Sequence, residues 1–135
     1  MKRKFCIIVA NYYPKISRDL ILGAVKILKL KNIRNYNVIK VPGVFEIPFV
    51  ISKYINRYDG FISLGCVIKG ETPHFEFICS STINAIMHLS VSFKKPIGNG
   101  IITCLNKKQA LNRSDPKKKN KGREAANAVL SVLKA

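Results

Sequence analysis

Apolar residues along the chain fall into two alternating kinds of run. Four runs are short and rich in β-branched and aromatic residues: Phe5–Ala10 (FCIIVA), Tyr36–Val41 (YNVIKV), Phe61–Ile68 (FISLGCVI) and Gly100–Leu105 (GIITCL). The first, third and fourth are almost unbroken, the pattern of strands covered on both faces, whereas the second alternates and suits a sheet edge. Between them the period lengthens to that of a helix. Leu20, Ile21, Ala24, Val25 and Leu28 form one stripe, and Ile47, Val50, Ile51, Tyr54, Ile55 and Tyr58 a second. Phe75, Ile78, Cys79, Thr82, Ile83 and Ile86 form a third, and Ala125, Ala126, Val129, Leu130 and Leu133 a fourth. All four read as core faces of amphipathic helices, with a short extra helix over Lys107–Asn112 before the last. Strands that alternate with helices predict a parallel sheet with right-handed crossovers and helices on both faces. No repeat or linker interrupts the pattern, so a single doubly wound domain is expected.

Composition narrows the class. At 135 residues and 47% apolar, the chain can bury one real core. No apolar run reaches the length of a membrane span. The opening MKRKFCIIVANYYP has too short an apolar stretch, and no small-residue cleavage site, for a secretory signal. It reads as the first strand of a cytoplasmic protein. Cys6, Cys66, Cys79 and Cys104 are widely spaced, with no zinc-type pairing, so buried reduced thiols are expected and no metal site. The formal net charge of +17 points towards anions as partners, or towards lysine as a default solvated residue. Much of it lies in the tract Lys107–Arg123, which includes RSDPKKKNKGR.

In an open parallel sheet, ligands bind beyond the carboxyl ends of the strands. Here those ends carry Asn11-Tyr12-Tyr13-Pro14, then Pro42-Gly43-Val44-Phe45-Glu46, then Lys69-Gly70-Glu71-Thr72-Pro73-His74. The topology therefore gathers Tyr12, Phe45, Glu46, Glu71, Thr72 and His74 on one rim. Thr72 suits an N-cap and Pro73 the first helical position. The free N–H groups of that first turn, reached past Gly70, suit a phosphate or another anion. His74 lies in the same turn, where the positive helix end disfavours imidazolium and leaves a ring able to accept a proton. A dinucleotide fingerprint, a Walker A loop and a nucleophile elbow are all lacking, and Cys66 lies within a strand, where it points into packing rather than pairing with His74.

Three segments in this order, VPGVFEIP (Val41–Pro48), GCVIKGETPHFEF (Gly65–Phe77) and NKGREAA (Asn120–Ala126), resemble 6,7-dimethyl-8-ribityllumazine synthases. The likeness runs from IIVANYY to the last helix. It implies one flavodoxin-like, three-layer α/β/α domain over residues 1–135 with a four-stranded parallel sheet. It also implies a transferase of the penultimate step of riboflavin biosynthesis. That reaction condenses 5-amino-6-(D-ribitylamino)uracil with 3,4-dihydroxy-2-butanone 4-phosphate, with loss of phosphate and two waters and without metal or redox cofactor. Carried over by position, His74 is the proton-transfer group. Tyr12 stacks on the pyrimidine. Val44, Phe45 and Glu46 line the ribityl pocket, and Val67 and Ile68 meet the pyrimidine edge. Gly70, Glu71 and Thr72 form the phosphate-side loop, Arg113 pairs with the phosphate, and Lys121 with Glu124 makes a charged pair nearby.

The likeness further implies a homo-oligomer, a pentamer or its multiples up to sixty subunits. Its active site lies between neighbours, with Asn99 and Arg113 supplied by the adjacent chain, and riboflavin synthase is a further partner it allows. Two departures stand out. Asn99, in PIGNG, replaces an aromatic over the ring, and Arg113–Gly122 (RSDPKKKNKG) replaces a glycine-rich kink. The second leaves the size of the assembly open. Two other readings are a nucleic-acid-binding domain, for which the basic tract lacks a motif and interleaved aromatics, and an inactive shell protein, against which His74 and Arg113 both speak.

Overall fold

The computed structural model describes residues 2–134. Its elements run β1 (Phe5–Ala10), α1 (Pro14–Leu30), β2 (Tyr36–Val41), a single 3-10 turn (Val44–Glu46), α2 (Ile47–Tyr54), β3 (Gly60–Ile68), α3 (His74–Phe93), β4 (Ile97–Cys104), α4 (Lys107–Ser114) and α5 (Lys121–Leu133). All strand pairs are parallel and the order is β2-β1-β3-β4. That is the flavodoxin-like order, one strand short.

Side-chain alternation along the strands makes two apolar layers. Phe5, Ile7 and Val9 of β1 join Ile62, Leu64 and Cys66 of β3 under Leu20, Ala24 and Leu28 of α1 and Ala125, Ala126 and Val129 of α5. Cys6, Ile8 and Ala10 face the other way, with Phe61 and Ile101, onto Ile47, Ile51, Ile55 and Tyr58. A strand whose successive residues enter opposite cores must be apolar throughout, as β1 and most of β3 are.

Several boundaries and faces differ from the sequence reading, each for a physical reason. β4 begins at Ile97, not Gly100, because Gly98 and Gly100 interrupt the apolar run without interrupting the strand. A Cβ on Gly98 would run into the carbonyl of Ala125, so the glycine is what lets α5 lie close on the sheet. β4 is also an edge strand rather than one covered on both faces, with Asn99 and Thr103 exposed. α2 stops at Tyr54, although Ile55 and Tyr58 stay buried below it. α4 runs on to Ser114 rather than ending at Asn112. α3 starts at His74, capped at Pro73, one residue later than Thr72 as cap would give. The Thr72 hydroxyl accepts from the His74 N–H at a long 3.4 Å.

The largest difference lies on α3. Of the stripe read as core, only Thr82 and Ile86 are fully buried, while Phe77, Met87 and Val91 stand exposed elsewhere on the helix. α3 is thus apolar on more of its surface than its own chain covers. No helix among the described residues is long and apolar enough to cross a membrane.

Charge is also layered. Residues 107–134, the α4–α5 side, hold nine lysines or arginines against Asp115 and Glu124, whereas residues 43–96 hold five against four acids. Only Lys15–Asp19 and Lys69–Glu76 pair within 4 Å among the described residues, so Lys121 and Glu124, expected as a charged pair, form no ion pair within this chain.

Candidate active site

The strand order reverses between β1 and β3, and a crevice of about 250 Å³ opens at their carboxyl ends. Three loops and the start of α3 build it. From the loop after β1 come Tyr12 and Tyr13, packed edge to face with centroids 4.9 Å apart. Pro14, at the first position of α1, ends that loop abruptly and holds Tyr12 outward, 70% exposed. From the 3-10 turn come Val44, buried, and Phe45, largely exposed. Val67 and Ile68 at the end of β3 form the floor, and His74 with Ile78 closes the far side.

Glu46 sits beside this crevice rather than in its lining. Its Oε1 turns back over Gly43, where a Cβ would approach to 3.2 Å. Gly70, Glu71 and Thr72 are exposed in the loop leading to α3, and a side chain on Gly70 would meet nothing of this chain. That loop is tied at its start, where Lys69 N–H donates to the Cys104 carbonyl at 2.9 Å, and more weakly by the exposed Lys69–Glu76 ion pair at 3.8 Å. The face towards the crevice is therefore apolar and aromatic at the base, with polar groups at the mouth.

A second depression, of about 380 Å³, runs along the open edge of β4. Asn99, Arg113, Lys121 and Glu124 line it together with Thr103 and Lys119. Asn99 spends its side-chain oxygen on the Ile101 N–H of its own strand at 3.1 Å, which satisfies an edge amide. Thus two groups of the expected site residues line depressions, while Glu46, Gly70, Glu71 and Thr72 line neither. Tyr12, Val44, Phe45, Val67, Ile68 and His74 share one crevice. Asn99, Arg113, Lys121 and Glu124 share the other, and no residue lines both.

Sequence reasoning did not single out Tyr13, Gly43 or Ile78 in the first depression, nor Lys119 in the second. Tyr13 carried a signal, since it precedes a proline and adjoins an aromatic. Ile78 carried none, as it reads as an ordinary core position. Cys66 also borders the crevice, yet burial, with Cys104 adding to it, pushes its thiol up to about 12. Such a thiol is protonated at neutral pH and inert as a nucleophile. Cys6 is likewise pushed up by burial, to about 11.

An open parallel sheet with an apolar, aromatic-walled crevice at its switch point has the form of an α/β domain whose ligand site lies at the carboxyl ends of the strands. The family model for 6,7-dimethyl-8-ribityllumazine synthase matches residues 2–135, so the chain belongs to the 6,7-dimethyl-8-ribityllumazine synthase family. Among curated relatives of that name, the Bartonella bacilliformis protein is 42% identical over 132 residues, covering 94% of this chain and 86% of the relative. The Novosphingobium aromaticivorans protein is 42% identical over 132 residues, covering 96% and 94%. The protein of Limosilactobacillus reuteri is 36% identical over 129 residues, covering 94% and 85%.

Proposed function

We propose that this chain condenses 5-amino-6-(D-ribitylamino)uracil with 3,4-dihydroxy-2-butanone 4-phosphate to 6,7-dimethyl-8-ribityllumazine, the penultimate step of riboflavin biosynthesis. The observation that carries the reading is the convergence of Tyr12, Val44, Phe45, Val67, Ile68 and His74 on one crevice, in a chain of this family. Tyr12 offers a ring face to the pyrimidine, and Val67 and Ile68 offer strand-end backbone to its edge. Glu46 accepts from ribityl hydroxyls at the mouth. Gly70, Glu71 and Thr72 border the phosphate side.

The residue types suit the chemistry. The substrate amine adds to the ketone, water leaves as the imine forms, phosphate is eliminated, and ring closure expels the second water. His74 moves protons in these steps, and Arg113 offers a planar guanidinium to the departing phosphate. Holding two reactants in register supplies much of the remaining rate. The direct test is to mix the purified protein with both substrates and follow lumazine fluorescence. Omitting either substrate must abolish the signal, and no product from the complete mixture sinks the proposal.

The working unit is a homo-oligomer, a pentamer or its multiples, in which the Arg113 depression of one subunit meets the His74 crevice of the next. Three features support this. The two groups of residues lie apart within one chain. α3 keeps Phe77, Met87 and Val91 exposed, and α2 keeps Phe49. The β4 edge has no strand beyond it. Sedimentation at micromolar concentration should therefore give assembled species, with activity confined to them. A folded, fully active monomer overturns the shared site.

A further inference from the structure

Between the last two helices stands a polar side chain that is wholly buried. Asn120 is 0% exposed, although it sits among lysines that face water. Its side chain makes three hydrogen bonds to three elements. Nδ2 donates to the Asp19 carbonyl of α1 at 2.8 Å and to the Ser114 carbonyl at the end of α4 at 2.6 Å. Oδ1 accepts from the Arg123 N–H in the first turn of α5 at 2.8 Å. A primary amide combines two N–H donors with an acceptor, which a carboxylate and a hydroxyl do not, so the site calls for Asn in particular. Two glycines make the room. A Cβ on Gly23 would run into Asn120 Oδ1, and one on Gly122 into the Leu20 carbonyl.

The place of these bonds in the chain gives them a further meaning. Arg113 directly precedes Ser114, and Lys121 directly follows Asn120. One amide therefore holds the two helix ends that carry cations into the β4-edge depression, and it ties both to α1. The intervening residues 115–119 are tied by other groups, none of which bridges α4, α5 and α1 together as the amide does. Arg123 donates to the Pro116 and Lys118 carbonyls at 3.1 and 2.6 Å, and Lys119 N–H donates to the Asn112 carbonyl at 3.3 Å.

We propose that Asn120 is a positioning residue for phosphate recognition, fixing Arg113 and Lys121 relative to one another so that both address the same oxyanion. The proposal rests on the reading above that Arg113 binds the substrate phosphate. A guanidinium recognises phosphate through a fixed planar fork, and its value falls steeply when that fork is misplaced.

The test uses the full-length protein in its assembled form, with inorganic phosphate as the probe. Asn120→Ser keeps an oxygen for the Arg123 N–H but offers one O–H on a shorter side chain in place of two N–H donors, so at least one of the Asp19 and Ser114 carbonyls loses its partner. The folded variant should bind inorganic phosphate more weakly by about tenfold or more, since a misplacement of about 1 Å can cost on the order of 10²-fold. KM for the butanone phosphate should rise alongside, while KM for the ribitylamino-uracil stays within about twofold of wild type. A merely structural asparagine would lower the melting temperature and leave the phosphate affinity of the folded protein unchanged, and that outcome overturns the proposal.

Arg113→Ala, measured in parallel, separates the two claims. If it binds phosphate like wild type, the phosphate reading of Arg113 fails and the positioning role falls with it. If it loses phosphate while Asn120→Ser does not, only the positioning role fails. Should Asn120→Ser not fold, hydrogen exchange of the wild-type protein decides. Phosphate should slow exchange of the Arg123 amide that Asn120 holds, and exchange indifferent to phosphate overturns the proposal.

Discussion

Alanine in place of His74 should slow turnover by roughly 10²–10⁴-fold while leaving fold and assembly intact, the effect expected when general acid–base catalysis carries its usual weight. Two features make the variant clean. His74 is exposed at the first position of α3, so its removal opens no cavity. The crevice it borders is held by Val44, Val67 and the tyrosine pair, none of which leans on an imidazole hydrogen bond among the described residues. A slow condensation should persist because both reactants are still held together. Single-turnover rates at saturating substrate, measured on protein shown by sedimentation to be assembled, decide the matter. A wild-type kcat would reduce His74 to a residue that merely begins a helix.

Arg113→Lys is the second large effect, and it separates phosphate recognition from the general positive field. The chain has 24 lysines and arginines, so a diffuse field would hardly register one conservative exchange. A bidentate contact would, because an ammonium keeps the charge and loses the planar fork. Use of the butanone phosphate should weaken by about tenfold or more, in keeping with the roughly 1.5–3 kcal/mol of a charge-assisted contact, with little change for the ribitylamino-uracil. Lys118 supplies the control. It lines a lysine-rich depression with Lys15, Lys107 and Lys108 that Arg113 does not line, so Lys118→Ala should have a small kinetic effect. Equal losses in the two variants, with each substrate varied in turn, would mean that the tract acts only as a positive surface.

What could be read from the chain follows from which forces act locally. Continuous apolarity in Phe5–Ala10 and alternation in Tyr36–Val41 place β1 inside the sheet and β2 at its edge, but the same rule misplaces Gly100–Leu105, whose strand is the other edge. The rim positions of Tyr12, Phe45 and His74 follow from topology alone. The start of β4 is hidden in the sequence because Gly98 and Gly100 have no side chain to register in a hydropathy pattern, although close packing of α5 requires them. α3 was read as a core helix because periodicity records that a face is apolar and not whose atoms cover it; Phe77 and Val91 look alike in sequence whether buried or bare. Asn120 opens the NKGREAA segment, yet its burial is not legible there, because an amide amid lysines looks like one more solvated residue. Its burial depends on Gly23, nearly a hundred positions earlier in the chain.

The separation of the two depressions bears on inheritance as well as on chemistry. If each working centre takes its crevice from one subunit and its phosphate cations from another, catalytic competence belongs to a contact and not to a polypeptide. Specific activity then depends on gene dosage and dilution, because a sparse subunit lacks half of its machinery however well it folds. Lesions also sort into two complementation groups. A chain damaged at His74 still lends its Arg113 to a neighbour, and a chain damaged at Arg113 still offers a sound crevice, so two alleles that each fail alone restore function when expressed together.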